Sequence, residues 1–307
     1  MDVKNKLSFK GADECISIYK DALSALGNLE MLKIISFYTE NEDCDVEYTF
    51  AVSAGCLCIK EFDLGRYCFH FPYELDGGSD ISAALSAVVE YAILERVPII
   101  FSGVERELLS VFFDAGYRHI DVDAISPECD AYRVRIKTEC ELISDVPEVS
   151  DGELSLSPLS DGDTKSYAAL SRDTEINKFW GYDFSEDFPD ATDAYFIETA
   201  REEFADCSAI TLAVRLSGEF IGEAVLHLFD GKGGAEIGIR LLSEYQGKGY
   251  GRRALMLLLS LASKIGLVRL FGRVHRENLC SVALFSSVSD FREDVGDAFI
   301  YEILLAE

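Results

Sequence analysis

Tryptophan occurs once, methionine three times, histidine four times and proline six times in 307 residues. The histidines, His70, His119, His227 and His275, stand isolated, which leaves little from which to build a metal centre. The nine cysteines are odd in number and scattered, and no C-x-x-C occurs. That argues against a disulfide framework and a zinc site, and for reduced thiols. Cys56-x-Cys58 alternates along a predicted strand and reads as packing of one face. Long apolar runs are missing too. The densest, Ala254–Ala262, is about half the length of a bilayer span. The first residues, MDVKNKLSFKGADE, lack the apolar centre of an export signal. The expectation is a cytoplasmic protein with no membrane partner and no bound metal.

Basic residues are also scarce. There are 28 Lys and Arg against 55 Asp and Glu, a formal net charge of −27. From Asp151 onward 27 acids face 15 bases, which leaves 28 and 13 before it, so both halves are acidic. Sheathing a nucleic-acid backbone is excluded on these terms. Solubility is one reading of the charge, and preference for a cationic acceptor such as an amine is the other.

What is present describes a globular α/β protein. The chain is 49% hydrophobic and 27% charged, and its length suits about two domains of roughly 150 residues. The clearest seam is Ser144–Ser157, which collects Pro147, Gly152, acids and serines between two patterned regions. The predicted domains are therefore residues 1–148 and 150–307.

In the second half, Glu153–Leu159 alternates as a strand does. Asp161–Ser171 reads as a short helix, Arg172–Pro189 as an aromatic-rich loop, and Asp190–Ala205 as a helix. Strands follow at Ile210–Leu216, Phe220–Phe229 and Ala235–Leu242, the first two joined at Ser217-Gly218, a hairpin signal. A Gly-rich loop leads into a helix at Arg252–Ile265. Leu267–His275 is a strand, Cys280–Val288 a helix and Ala298–Leu305 a strand. In the first half, Ala12–Leu26 reads as helix. Strands are predicted at Ile34–Tyr38, Tyr48–Ser53, Leu57–Phe62 and Tyr67–Phe71. A helix at Ser82–Glu95, a strand at Pro98–Phe101, a helix at Glu105–Ala115 and strands at Tyr117–Asp123 and Ala131–Lys137 close it. That close repeats the order of the second half with one strand more, and points to an internal structural repeat.

The strongest motif is Gln246-Gly247-Lys248-Gly249-Tyr250-Gly251, with a strand before it and a helix after it. Glycines let the backbone turn sharply. The unpaired N–H groups at the helix start and the helix dipole form a socket for a pyrophosphate. Lys248, Arg252 and Arg253 add positive charge in an acidic protein. A P-loop would need Ser or Thr where Gly249 stands. A dinucleotide fingerprint would need a βαβ unit, and the preceding strand belongs to hairpins.

The segment AEIGIRLLSEYQGKGYGRRAL resembles the acetyl-coenzyme A segment of the GNAT superfamily of N-acetyltransferases. Gln246, Gly249 and Gly251 fill its Q/R-x-x-G-x-G/A pattern. The likeness covers about Glu153–Leu305 and is finer to the ribosomal-protein N-terminal acetyltransferase branch. It implies a mixed α+β sheet, and tandem GNAT-like folds if the first half is a degenerate copy without a coenzyme loop. Phe112–Arg118 is similar to the family's closing step, while Gly77-Gly78 lacks the spacing and basic flank of a coenzyme loop. The resemblance implies that Gln246, Gly247, Lys248, Gly249, Tyr250, Gly251 and Arg252 hold the pyrophosphate of acetyl-CoA. It implies that the strand end Ile239, Arg240 and Leu241 holds the pantetheine arm, and that Asn278 and Ser281 serve as helix cap and coenzyme contact. Glu236 is the first candidate for general base and Glu223 the second. Phe285 stands where the family often has a tyrosine that protonates the leaving thiolate. The acceptor pocket is expected at Asn177, Trp180, Tyr182 and Asp183. The implied activity is transfer of an acetyl group from acetyl-CoA to a primary amine, small molecule or peptide. The alternative is a coenzyme-binding regulatory module with little catalytic activity. A homodimer is the other partner considered.

Overall fold

The computed structural model describes residues 33–41, 44–53, 56–63, 66–74, 81–94, 96–126, 129–180, 188–289 and 292–305, with the strands of residues 33–74 described by their backbone. The predicted helix at 12–26 and the residues Gly77, Gly78, Tyr182 and Asp183 lie outside these. The chain divides into two compact units, Met1–Lys137 and Thr138–Glu307. The seam at 144–157 lies within the second. Residues just after Lys137 pack there: Cys140 and Val149 join its core, and the Glu139 carboxylate accepts the N–H of Gly233 at 2.7 Å.

The second unit is a mixed sheet. Its strands are β8 (Val149–Ser150), β9 (Leu154–Pro158), β10 (Ala209–Leu216), β11 (Glu219–His227), β12 (Gly234–Leu241), β13 (Arg269–His275), β14 (Arg292–Asp294) and β15 (Ala298–Leu304), in the spatial order β14-β15-β13-β12-β11-β10-β9-β8. Among the described residues of this unit only β12 and β13 pair in parallel. Helix α6 (Tyr250–Lys264) makes that crossover. Its Ala254, Leu257, Leu258, Leu261 and Ala262 recur at helical spacing, and this stripe is buried against Leu212, Val214, Ile221, Ile237 and Leu270. Between β9 and β10 lie α3 (Thr164–Arg172), the single turn α4 (Thr174–Asn177) and α5 (Asp193–Ala205). They share a smaller core of Tyr167, Ala168, Leu170, Phe196, Ile197 and Ala200. Phe220 packs on that cluster while its neighbour Ile221 packs on α6. Alternation along β11 therefore places the helical insert and α6 on opposite faces of the sheet. Helix α7 (Leu279–Ser286) follows β13.

The first unit carries β1 (Lys33–Asn41), β2 (Cys44–Ser53), β3 (Cys56–Asp63), β4 (Arg66–Glu74), β5 (Ile99–Glu105), β6 (Ile120–Ser126) and β7 (Cys129–Ile136), in the order β1-β2-β3-β4-β5-β7-β6. Helix α1 (Ile81–Leu94) crosses from β4 to β5, the one parallel pair. The predicted helix at 105–115 is a 3₁₀ turn, Arg106–Leu108, running into α2 (Leu109–Asp114). Leu85, Val88, Val89 and Ala92 of α1 pack with Phe101, Phe112, Val134 and Ile136. No described helix is long and apolar enough to cross a membrane.

Candidate active site

The parallel contact between β12 and β13 is short. Gly234, Ala235 and Glu236 pair with Arg269, Leu270 and Phe271, and the ladder stops there. Yet β12 runs on to Leu241 and β13 to His275. The far edge of β12 is paired with β11 through Leu241. The facing edges of Ile237–Leu241 and of residues 272–275 thus bound a split in the sheet. Backbone N–H and C=O groups there need partners from outside the ladder. One is supplied locally, since the side-chain amide of Gln246 donates to the Leu241 carbonyl at 2.8 Å.

The Gly-rich loop lies at the end of β12. Gly247 and Gly249 have φ of +69° and +85°, the left-handed region that favours glycine, and Gly249 is the N-cap of α6. The first intrahelical bond is Arg253 N–H to the Gly249 carbonyl, so the N–H groups of Tyr250, Gly251 and Arg252 precede the ladder and point outward. Lys248 and Arg252 are exposed beside them. Arg253 is not available in the same way: it pairs with Asp151 and Glu153, each at 2.9 Å. The dipole and these donors suit a pyrophosphate.

Glu236 is the last residue of β12 paired with β13 and marks the vertex of the split. Burial pushes its carboxyl above the ordinary range, while the backbone N–H and the guanidinium of Arg273, across the split, pull it back in part. Alternation along β12 puts Ile237 and Leu241 in the core shared with α6 and Glu236, Gly238 and Arg240 on the opposite face.

On that face the insert meets the sheet. The ring edge of Trp180 lies so close to Gly238 that a Cβ there would approach it to 2.6 Å. Phe179 stacks on His275 of β13, ring centroids 4.9 Å apart. Asn177 does not line an open pocket: it is 6% exposed, and its amide donates to the carbonyls of Leu170, Ser171 and Asp173 at 2.8–2.9 Å. Its carbonyl oxygen accepts from the Arg240 guanidinium. Arg240 also pairs with Glu223 at 2.9 Å, both side chains 4% exposed. The side chains of Arg240 and Glu223 are thus bound to each other and to the insert. Sequence reading placed Arg240 at a coenzyme-holding strand end and Glu223 among the bases. Their pairing joins residues 17 apart, and Arg240 with Asn177 joins residues 63 apart. The one local signal is the uncharged run that flanks Glu223, Ile221-Gly222 and Ala224-Val225.

At the head of α7 the Asn278 side chain accepts the N–H of Ser281 at 3.1 Å, the expected cap. Phe285 is buried over Gly272, where a Cβ would lie 2.1 Å from its ring. Among the described residues no group of three metal-ligating side chains converges.

Residues 153–288 match the family model of the acetyltransferase (GNAT) domain. A search of curated proteins finds no match. Solved structures similar to this chain include three acetyltransferases. One is a proposed ribosomal-protein-serine acetyltransferase from Vibrio cholerae, with 17% identity, 52% of this chain and 97% of that one covered and a TM-score of 0.43. A GNAT-family acetyltransferase from Bacillus anthracis has 18% identity, 52% and 100% coverage and a TM-score of 0.43. The PaiA N-acetyltransferase of Thermoplasma acidophilum, in complex with coenzyme A, has 19% identity, 49% and 98% coverage and a TM-score of 0.41.

Proposed function

We propose that this chain, whose residues 153–288 match the acetyltransferase (GNAT) domain model, transfers an acetyl group from acetyl-CoA to a primary amine at the split between β12 and β13. The observation that carries this reading is the placement of a half-buried carboxylate, Glu236, at the vertex of a split whose other end opens on the Gly-rich loop. Gln246, Gly247, Lys248, Gly249, Tyr250, Gly251 and Arg252 would hold the coenzyme's pyrophosphate. The free strand edge of Ile239–Leu241 would hold its arm, and Ser281, on the helix that Asn278 caps, would touch it. The coenzyme supplies a thioester carbonyl and a thiol leaving group.

The residues of this chain do the rest. Glu236 takes the proton of the ammonium, directly or through one water, since an amine attacks only when neutral. Its raised carboxyl brings a base closer to neutral pH. Backbone N–H groups on the unpaired edge near Leu241 stabilise charge developing on the carbonyl oxygen. Trp180 walls the acceptor side, and the acidic composition favours a cationic amine, small or peptidic. Tyr182 and Asp183, next along the chain, belong to the same proposed pocket. The first unit is read as a second copy of the fold without a coenzyme loop. The acceptor's identity is tested by thiol release from acetyl-CoA with a panel of amines. Release above the background rate with at least one amine is the expected result.

One observation favours the second reading, a coenzyme-binding module of low activity: Phe285 packs on Gly272 and brings no hydroxyl to the thiol. A thiol of pKa about 8.5 leaves partly as thiolate without help, so that absence alone does not forbid turnover. Tight coenzyme binding without thiol release would favour this second reading.

A further inference from the structure

We propose that Arg240 is a positioning residue that sets the acceptor wall through Trp180, with Glu223 as its counter-ion and not a base. The inference rests on the reading above in one respect, that the split is where the acceptor meets the acetyl group.

Arg240 is 6% exposed and Glu223 3%, and they are direct neighbours in the β11–β12 register. The same guanidinium reaches three further groups of the helical insert. It donates to the Asn177 carbonyl oxygen and to the Ser171 hydroxyl, the latter at 3.3 Å, and its carbon lies 4.7 Å from the centre of the Trp180 ring. Asn177 in turn ties the end of α3 to α4 through three carbonyls. One side chain of β12 therefore fastens α3, α4 and the indole to the sheet. Glu223 is already engaged by Arg240, and the Tyr167 hydroxyl bonds the same carboxylate.

Charge burial argues that this arrangement serves more than stability. A buried ion pair is often no more stabilising than apolar side chains of the same volume. A guanidinium, though, offers a flat face for an indole and a fork of donors at once, which neither an ammonium nor an apolar chain can do. The result is positional. Phe179 and Trp180 are adjacent in sequence but rest on different strands: Phe179 on His275 of β13, Trp180 on Gly238 of β12. They straddle the split on the face that also carries Glu236. The angle of Trp180, set by Arg240, decides how an amine approaches that carboxylate.

The chain's single tryptophan makes this testable, because intrinsic fluorescence reports Trp180 alone. Arg240→Met by itself strands a buried carboxylate, so the informative variant is Arg240→Met with Glu223→Gln, which removes both charges. It is expected to fold and to keep acetyl-CoA binding within about twofold of the wild type, because the arm is proposed to lie on the backbone edge of Ile239–Leu241 while the Arg240 side chain turns to Glu223 and Asn177. Its emission should shift to the red and acrylamide quenching should rise. KM for an acceptor amine should rise about tenfold, with kcat less affected. Arg240→Lys keeps the charge opposite Glu223 but loses the flat face, so it should hold thermal stability and still show the emission shift. Unchanged emission and quenching in a folded double variant overturns the proposal. So does a parallel loss of acetyl-CoA affinity, which would make Arg240 a coenzyme ligand. If the wild type itself binds no acetyl-CoA, the functional reading falls instead, and the quenching measurement still decides whether Arg240 sets Trp180.

Discussion

The two units are built on one strand plan. Counting from β1 in the first and from β9 in the second, where β8 is an additional edge strand, four antiparallel strands lead by a crossover helix to a fifth, parallel strand, and the last strand inserts between the fifth and the sixth. In each, the parallel contact is short: Phe69 and His70 with Phe101 and Ser102 in the first, Gly234–Glu236 with Arg269–Phe271 in the second. The differences lie in two connections. β1 ends at Asn41 and β2 begins at Cys44, whereas β9 and β10 are separated by α3, α4 and α5. The link from β4 to α1 is Leu75–Asp80, with acids and no basic residue; the link from β12 to α6 holds Gln246–Gly249 and Lys248. A parallel crossover ending in a short ladder thus belongs to the plan itself. The Gly-rich loop and the aromatic residues Phe179 and Trp180 belong to the two connections, and the proposed function is placed there.

The largest expected effect comes from breaking the socket. Gly249→Asp puts a side chain at φ of +85° and a negative charge where a pyrophosphate is to sit. Like charges so placed cost several kcal/mol, and about 1.4 kcal/mol is tenfold in affinity. Acetyl-CoA binding should fall below detection by calorimetry. The intact chain should titrate with one site. Binding retained by the variant would move the coenzyme site to the first unit.

The vertex residue sharpens the contrast next. The last paired position of the fourth strand is Glu236 in the second unit and His70 in the first. Glu236→Gln should lower kcat by about 10²–10⁴, the share of acid–base catalysis. His70→Gln should leave turnover within about twofold, because the first unit is proposed to have no coenzyme site of its own. The sign of the pH effect follows from the raised carboxyl. Activity needs the ionised form, so the wild-type rate should climb with pH through a value above the ordinary carboxylate range, and this limb should vanish in Glu236→Gln. For stability the same shift favours the protonated form in the folded state. That contribution is full below the ordinary carboxyl pKa and is lost as pH rises through the raised one.

Patterning made the shared plan visible before the site. The apolar stripe of α6 and the alternation of β12 read directly as helix and strand, and Ser217-Gly218 marked its hairpin, both residues having positive φ in the structure. β8 and β14 span two and three residues, too short for a period to register. Three-dimensional pairing was the other gap. Arg253 reads as positive charge beside the loop, but Asp151, 102 residues earlier, holds it. The Arg240 network likewise depends on which helix the fold lays over β12, and no spacing within either segment encodes that.

The insert's entry gives a stability effect of middle size. At the start of the insert, the backbone N–H and the hydroxyl of Ser160 both donate to Asp163 at 2.7 Å, and Arg215 of β10 pairs with it at 2.6 Å. Burial raises the Asp163 carboxyl, but Arg215 and Ser160 outweigh it and hold it below the ordinary range. Its contribution is therefore present above the ordinary carboxyl pKa and lost as pH falls through the lowered one. Asp163→Asn should destabilise the second unit by about 3 kcal/mol, the lower end for breaking a buried pair, because Arg215 keeps some solvent. Chemical denaturation at neutral pH and at pH below 4 should show the gap between variant and wild type closing with acid. A constant gap would mean that the pair does not titrate with folding.

The smallest effect concerns the helix after the fifth strand. In the second unit α7 begins with Asn278, whose side chain accepts the Ser281 N–H. In the first unit α2 follows a 3₁₀ turn, and its N-cap Leu108 makes no side-chain bond. Asn278→Ala should cost about 1 kcal/mol, the usual worth of such a cap. The loss should appear only in the second unit's unfolding transition. Loosening the head of α7 should also weaken acetyl-CoA binding slightly if Ser281 touches the coenzyme, because the cap orders that turn. A stability loss with coenzyme affinity unchanged would assign Asn278 to the fold alone. Weaker binding at full stability would instead make the side chain itself a coenzyme contact, and the two units would then differ in a third connection.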